Sequence, residues 1–235
     1  MSTTRESSDP PATQKRFLRT AGYYAAFIVL GLGSAALGPT LPDLAARTGS
    51  QFAEISFLFT THSLGYMIGS FQGGRIYDRL SGHQVMVMGL LLIAAALVVT
   101  PLIPQLWLLT AVIGLLGLAQ GLVDVGGNTL LVWTHRGEVG PFMNGLHFFY
   151  GLGAFLSPMI VVWMVSTSGD ITWAYWALAI LSLPGAVWLS RLSSPSAPAS
   201  TEGESSTVVN PWLVPLIALF LALYVGAEIG FENGS

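Results

Sequence analysis

The sequence predicts an all-α polytopic membrane protein with about seven transmembrane helices. Three observations carry that expectation. Of 235 residues, 52% are hydrophobic and only 9% are charged, against about 25% charged in an ordinary soluble domain. The apolar residues fall into successive uncharged runs, each long enough for the roughly 20 residues that a bilayer crossing needs. The basic residues are confined to alternate connections between those runs. The same composition excludes other classes. A net charge of −3 leaves no basic surface for nucleic acid. With no cysteine there is no disulfide. Lys15 is the only lysine and belongs to no phosphate-binding loop, and neither a zinc-protease His pair nor a nucleophile elbow is present. No enzyme is expected, and no cofactor.

In chain order, residues 1–19 are polar and hold Arg5, Lys15, Arg16 and Arg19, and are expected to form a disordered cytoplasmic tail. The apolar stretch that follows is longer than the core of a signal peptide. Thr20–Pro42 is the first span, with Gly31, Ser34 and Gly38 as a small-residue face; Pro39 and Pro42 are expected to end it. Asp43–Glu54 reads as a short loop. Ile55–Gly74 is the second span, and Gly65, Gly69 and Gly73, four residues apart, form a packing ridge. Arg75–His83 reads as a charged loop. The long uncharged stretch after it is divided by Pro101 and Pro104 into spans at about Gln84–Thr100 and Gln105–Thr134. Pro141–Thr167 is the fifth span, with proline in its first turn, where a missing N–H costs little. Ile171–Ser190 is the sixth. Residues 191–210, rich in Ser, Pro and Glu, read as a flexible linker, and Pro211–Phe231 as a seventh helix within a last segment, 211–235.

Positive charge sets the expected orientation. With the N-terminus inside, the inner segments hold Arg5, Lys15, Arg16, Arg19, Arg75, Arg79, Arg136 and Arg191, and the outer ones only Arg47. The expected location is a multi-pass cell (inner) membrane protein with a cytoplasmic N-terminus.

The most informative stretch runs from Gly117 to Pro158. A lone acid, Asp124, stands well inside an apolar run, where an ionised carboxylate costs roughly 2.5–3.5 kcal/mol on insertion scales. Such an acid is normally turned toward a bundle interior or a water-filled cavity. Gln120, Asp124 and Asn128 follow at four-residue steps and are expected to share one helical face. Across the polar joint Thr134–Gly140, Asn144, His147 and Tyr150 repeat every three residues on the next helix. A solute site needs a few placed polar groups, and Gln120, Asn128, His147 and Tyr150 would hydrogen-bond a solute's hydroxyls. Other readings stay open: Asp124 as a structural acid, His147 as a bond between helices, and His62 as a packing or capping residue.

The loop Gly74-Arg75-Ile76-Tyr77-Asp78-Arg79-Leu80-Ser81-Gly82 resembles the signature between helices two and three of the major facilitator superfamily. Gly74 would let two helix ends approach, and Asp78 and Arg79 would lock one conformation, making this a gating loop. GLVDVGGNTLLVW and GPFMNGLHFFYGLGAFLSP look like helices four and five of the sugar-transporting branch that holds fucose permease and the sodium-dependent glucose transporters. GPTLPDLAARTG and YVGAEIGF are similar to further parts of that branch. The resemblance implies a facilitator-type six-helix half bundle over 20–190 plus a seventh helix. It implies cation coupling at Asp124, sugar contacts at His147 and Tyr150, and a binding role for Glu228. One departure matters: fucose permease has an acid in helix one, and Thr20–Pro42 has none.

The expected function is therefore secondary active uptake of a sugar or similar small polar solute, with H⁺ or Na⁺ as coupling ion. The alternatives are proton-antiport efflux of drugs or metabolites, or a truncated half transporter that lacks its C-terminal half. The expected partners are the solute and the lipid bilayer, and no nucleic acid.

Overall fold

The computed structural model describes residues 12–196 and Leu216, and all regular structure among them is helical. The elements are α1 (Ala12–Ala35), α2 (Leu37–Thr48), α3 (Phe52–Ile55), α4 (Phe57–Tyr77), α5 (Gly82–Val99), α6 (Leu106–His135), α7 (Val139–Ser168) and α8 (Ile171–Ser190), with a 3₁₀ turn at Thr100–Leu102. The sixth expected span coincides with α8, and the third to fifth match α5, α6 and α7 within two residues at each end. The seventh helix and Glu228 lie outside the described residues.

The beginning of the chain departs from expectation. α1 already includes Ala12, the first described residue, so Lys15, Arg16 and Arg19 stand on a helix and not in a disordered tail. It breaks after Ala35, and α2 leaves at a 46° bend. Pro39 explains the position, because a proline ring clashes with the carbonyl four residues back, which is that of Ala35, and offers it no N–H. Pro39 then sits in the first turn of α2, where proline is tolerated. Pro42 lies inside that helix. The prolines therefore bend the segment without ending it, and Asp43–Thr48 is helical rather than loop. The stop is Gly49, at φ 64°, where the next amide, of Ser50, donates to the Ala45 carbonyl at 3.0 Å. The charged loop is also shorter than expected: α4 runs to Tyr77 and α5 begins at Gly82.

Among the described residues, four helices are long and apolar enough to cross a membrane, and five if the bent pair α1/α2 counts as one span. α4 is long enough but not among them, since Thr60, Thr61, His62, Ser63, Ser70 and Gln72 dilute its apolar run.

α4 packs chiefly on α6, α1 on α7, and α5 on both α6 and α8. Lipid tails are as apolar as leucine, so close backbone contact has to hold such helices together. Glycine supplies it in two seams. Along α4/α6, a Cβ at Gly65 would overlap the Gly114 carbonyl, at Gly69 that of Leu118, at Gly117 that of His62 and at Gly121 that of Tyr66. The third member of the ridge, Gly73, meets the Val125 side chain. Along α1/α7, Gly31 lies on the backbone of Tyr150 and Ala154, and Gly153 on that of Ile28. Gly38, expected in the same small-residue face, has open space around it, because it lies beyond the bend. Elsewhere contact runs through side chains: Phe27, Met86, Leu90, Ile93, Leu116, Val123 and Leu178 are all buried. α4 and α7 are edge helices, each with an exposed apolar face that includes Met67, Phe71, Phe148 and Phe155.

Polar ties fasten the two ends. At one, Arg47 donates to the Pro101 carbonyl at 2.5 Å and pairs with Asp170 at 2.6 Å, while Asp170 caps α8 by accepting from the Thr172 amide. Thr40 and Tyr175 share a buried hydroxyl pair at 2.8 Å. At the opposite, basic end, Arg19 donates to the carbonyl and hydroxyl of Ser193, both at 2.9 Å. His83 bridges the Tyr23 hydroxyl and the Leu192 carbonyl, also at 2.9 Å each. The first residues of the expected flexible linker are therefore fixed to the bundle; residues 197–210 lie outside the described part.

Candidate functional site

Asp124 lies on α6, one turn beyond the glycine seam, and is half-buried. Asn128, one turn further, donates through Nδ2 to the Asp124 carbonyl at 2.9 Å and to its carboxylate Oδ1 at 3.2 Å. From α4, the Tyr66 hydroxyl reaches the same carboxylate, and from α7 His147 is near enough to act on it electrostatically. Tyr150 on α7 is within electrostatic reach of Tyr66. Phe27 of α1 fits against Gly127, where a Cβ would overlap its ring, and presents its edge to His147 at 6.2 Å between centroids. One carboxylate, one amide, one imidazole and two phenols thus converge from three helices on a single face.

That face is open. His147 is exposed and Tyr150 is 36% exposed. These residues are a candidate wall of a site, and its exposed part is on α7. Chemically, the wall offers donors and acceptors for hydroxyl groups around one charge that a proton or monovalent cation can neutralise. Among the described residues no group of three or more His, Cys, Asp or Glu could hold a metal ion.

The structure divides the expected Gln120–Asp124–Asn128 stripe. Gln120 is fully buried, facing α1 and α4: its Oε1 is 2.6 Å from His62 Nε2 and accepts from Ser34 Oγ at 3.4 Å, while its Nε2 lies against Gly33 with no partner. The reason is geometric. Eight residues on a 3.6-residue helix turn the side chain by about 80°, so Gln120 and Asn128 cannot face the same neighbour. His62, expected as a packing or capping residue, belongs to this internal polar pair. Asn144 is exposed.

In the candidate gating loop, Asp78 and Arg79 are exposed, and neither makes an ion pair among the described residues. Asp78 ends α4, its amide donating to the Gly74 carbonyl at 3.2 Å. Gly74 has nothing within 4 Å of where a Cβ would stand. The close approach expected of it belongs to its neighbours instead, Gly73 against Val125 and Gly82 against Leu130, because Gly74 points one residue, about 100°, away from the seam.

Tyr66 was not identified from sequence. It had a local signal: His62, Tyr66 and Ser70 repeat every four residues beside the glycine ridge. Only the pairing of α4 with α6 turns that stripe toward Asp124.

With this geometry in hand, comparison with known proteins is informative. The family model described as Major Facilitator Superfamily matches residues 23–231. The sodium-dependent glucose transporter 1 of Rattus norvegicus is 36% identical across 70% of this chain and 34% of its own length. The sodium-dependent glucose transporter 1A of Mus musculus is 29% identical across 89% of this chain and 58% of its own. The major facilitator superfamily domain-containing protein 4A of Mus musculus is 37% identical across 60% of this chain and 28% of its own. The chain thus spans between about a quarter and three-fifths of these relatives. A crystal structure of tetrameric PepTSo2 superposes with a TM-score of 0.64 over 90% of this chain and 48% of that one, at 12% identity.

Proposed function

The chain belongs to the major facilitator superfamily, and on that premise we propose that it forms the N-terminal wall of a secondary active transporter for a sugar or similar small polar solute, coupled to H⁺ or Na⁺. The observation that carries the reading is the Asp124 cluster. A carboxylate within a span is held half-buried by Asn128 and Tyr66 and looks onto an open face with His147 and Tyr150. A buried structural acid would have its charge enclosed; this one is supported from behind and left accessible in front.

In this reading Asp124 binds the coupling cation. His147, Tyr150 and Asn128 offer hydrogen bonds to solute hydroxyls, and Gln120 acts from behind through the His62 pair. Glu228, outside the described residues, contributes a further polar contact, and the Asp78–Arg79 loop gates. A second six-helix half, on the same polypeptide or on another, closes the site near the membrane midplane. The relatives named for sodium-dependent glucose transport favour a sugar. The basic end faces the cytoplasm of the cell membrane, following the distribution of Arg and Lys.

The test is Asp124→Asn in the complete transport unit, with concentrative uptake and counterflow measured in the same vesicles while pH and sodium are varied in turn. Asn keeps the shape but cannot change charge, so accumulation against a gradient is expected to vanish while exchange persists. Wild-type accumulation would remove the coupling role, and joint loss of both modes with loss of folded protein would make Asp124 structural.

A further inference from the structure

We propose that His62 helps to determine which solutes the Asp124 face accepts: its imidazole Nδ1, held as a hydrogen-bond acceptor by the buried Gln120 amide, takes the O–H of one solute hydroxyl. This role rests on the Asp124 face being a solute site, as read above, and adds to it a group that selects among solutes.

Two separate contacts place His62. Its backbone is set by the α4/α6 seam, where a Cβ at Gly117 would overlap the His62 carbonyl and stand 3.0 Å from the Tyr66 amide nitrogen. Its ring is set by Gln120, whose Oε1 lies 2.6 Å from His62 Nε2. Gln120 is fully buried, and the same oxygen accepts from Ser34 Oγ at 3.4 Å. The amide nitrogen lies against Gly33, where a side chain on α1 would push it out of place. An amide oxygen has no hydrogen to give, so the hydrogen of the 2.6 Å bond belongs to His62 Nε2. A neutral imidazole carries one N–H, which leaves Nδ1 a bare acceptor. The bond between α4 and α6 thus uses one ring nitrogen and fixes the character of the other. The reversed amide would give Gln120 Nε2, which has no partner here, acceptors at His62 and Ser34, and would make Nδ1 a donor. The tautomer of His62 is therefore the measurable signature of the arrangement.

The ring stands beside the Asp124 cluster. His62 and Tyr66 are four residues apart on one face of α4, and both are half-buried. The Tyr66 hydroxyl ends on Asp124. The step from Tyr66 back to His62 is about 6 Å along the helix axis, comparable with the breadth of a pyranose ring, so a sugar seated at Asp124 brings a hydroxyl to the His62 turn. A site built to pair with a solute hydroxyl rejects an analogue that lacks it, because its own polar group is then left unpaired.

Two measurements test this. The first uses the purified full chain with ¹⁵N-labelled histidine at about pH 8, where an ordinary imidazole is neutral. NMR reports which ring nitrogen carries hydrogen, and His62→Gln identifies the His62 signals among those of the four histidines. Hydrogen on Nε2 alone is expected; hydrogen on Nδ1, alone or as well, would overturn the proposal. The second uses the complete transport unit in vesicles, with glucose counterflow and competition by the monodeoxy and deoxyfluoro glucoses, which lack the O–H at the altered carbon. Wild type is expected to bind the pair altered at one particular carbon about tenfold more weakly than glucose, the worth of one hydrogen bond. In His62→Gln the amide can donate to Gln120 in place of Nε2, but no acceptor stands where Nδ1 was. This variant is expected to fold as wild type by circular dichroism and to bind glucose and that pair within twofold of one another. No discrimination in wild type, or discrimination unchanged in His62→Gln, would overturn the role of His62 and leave the solute site standing. Absence of glucose counterflow in wild type would overturn the sugar reading, and the role of His62 with it.

Discussion

Gly121→Ala is the most direct test of how the Asp124 cluster is held. Gly121 lies on the α4/α6 seam, where an added Cβ would overlap the Tyr66 carbonyl and stand 2.8 Å from the Ser70 amide nitrogen and 2.9 Å from its hydroxyl. Ordinary carbon contacts begin at about 3.5 Å, and two of these three neighbours are backbone, which cannot rotate away. The helices must part by roughly 1 Å, a gap that forfeits a quarter to a half of each dispersion contact along the seam. Overpacking of this kind costs about 1–3 kcal/mol. Alanine's better helix propensity, worth up to about 1 kcal/mol, offsets only part of it. Gly74→Ala is the matched control, since that position is helical and open. Equilibrium unfolding in mixed micelles should place Gly121→Ala about 1–2 kcal/mol below wild type and Gly74→Ala at or slightly above it. Equal stability of the two variants, within about 0.5 kcal/mol, would refute the backbone-on-backbone account. Because Gly121 bears on Tyr66 itself, the same substitution should also weaken whatever Asp124 binds.

The other predictions are as follows. Tyr66→Phe leaves the seam intact and removes one hydroxyl from Asp124; the apparent affinity for the coupling cation in uptake assays should change about tenfold or more, as for a hydrogen bond to a charged group, with expression unaltered. Asp78→Ala should slow transport more than it reduces membrane insertion, as measured by uptake per inserted protein; unchanged uptake would remove the gating role. The Thr172 hydrogen bonds and the Arg47 guanidinium hold the Asp170 carboxyl below its ordinary range. Such a depressed group stabilises the fold above its unfolded pKa near 3.8 and loses that contribution as pH falls through the lower folded value. Asp170→Asn, which keeps the cap, should therefore flatten the acid limb of a thermal-stability profile below about pH 4, modestly, because the carboxylate is 45% exposed. Finally, cysteines at Gln51 and Leu80, both exposed in a chain with none of its own, should react with impermeant reagent from outside at the first and not at the second.

The sequence announces what depends on composition and local spacing. α8 and its neighbours follow from runs of apolar residues bounded by prolines and charges, and the contact of Asn128 with Asp124 follows from a four-residue step. The ridge of Gly65, Gly69 and Gly73 foretells a close helix pair. What is lost is what depends on distant effects. The break at Ala35 is written four residues later, at Pro39, so the prolines look like a terminus when they are the cause of a bend. Gly74 and Gly73 are indistinguishable as letters, and only the azimuth of α4 tells which one meets α6. Gln120 shares a stripe with Asp124 on paper, yet the accumulated 3.6-residue drift turns it inward to His62. Tyr66 acquires its meaning only from a partner 58 residues away.

The two glycine seams have a mechanical consequence. Where backbones touch without intervening side chains, there is nothing to flex, so α4 with α6 and α1 with α7 each behave as a stiff plank. Between the planks contact runs through side chains: the Phe27 ring against Gly127, a 3.4 Å hydrogen bond from Ser34 to Gln120 and, at the basic end, the Thr20 hydroxyl 2.7 Å from His135 Nε2. The plane of least resistance to sliding therefore runs between them. Asp124 and Tyr66 ride on one plank, His147 and Tyr150 on the other. A shear of one or two ångströms along that plane would change the spacing between carboxylate and imidazole while leaving every seam intact, so the polar cluster doubles as a gauge of how the two planks are aligned.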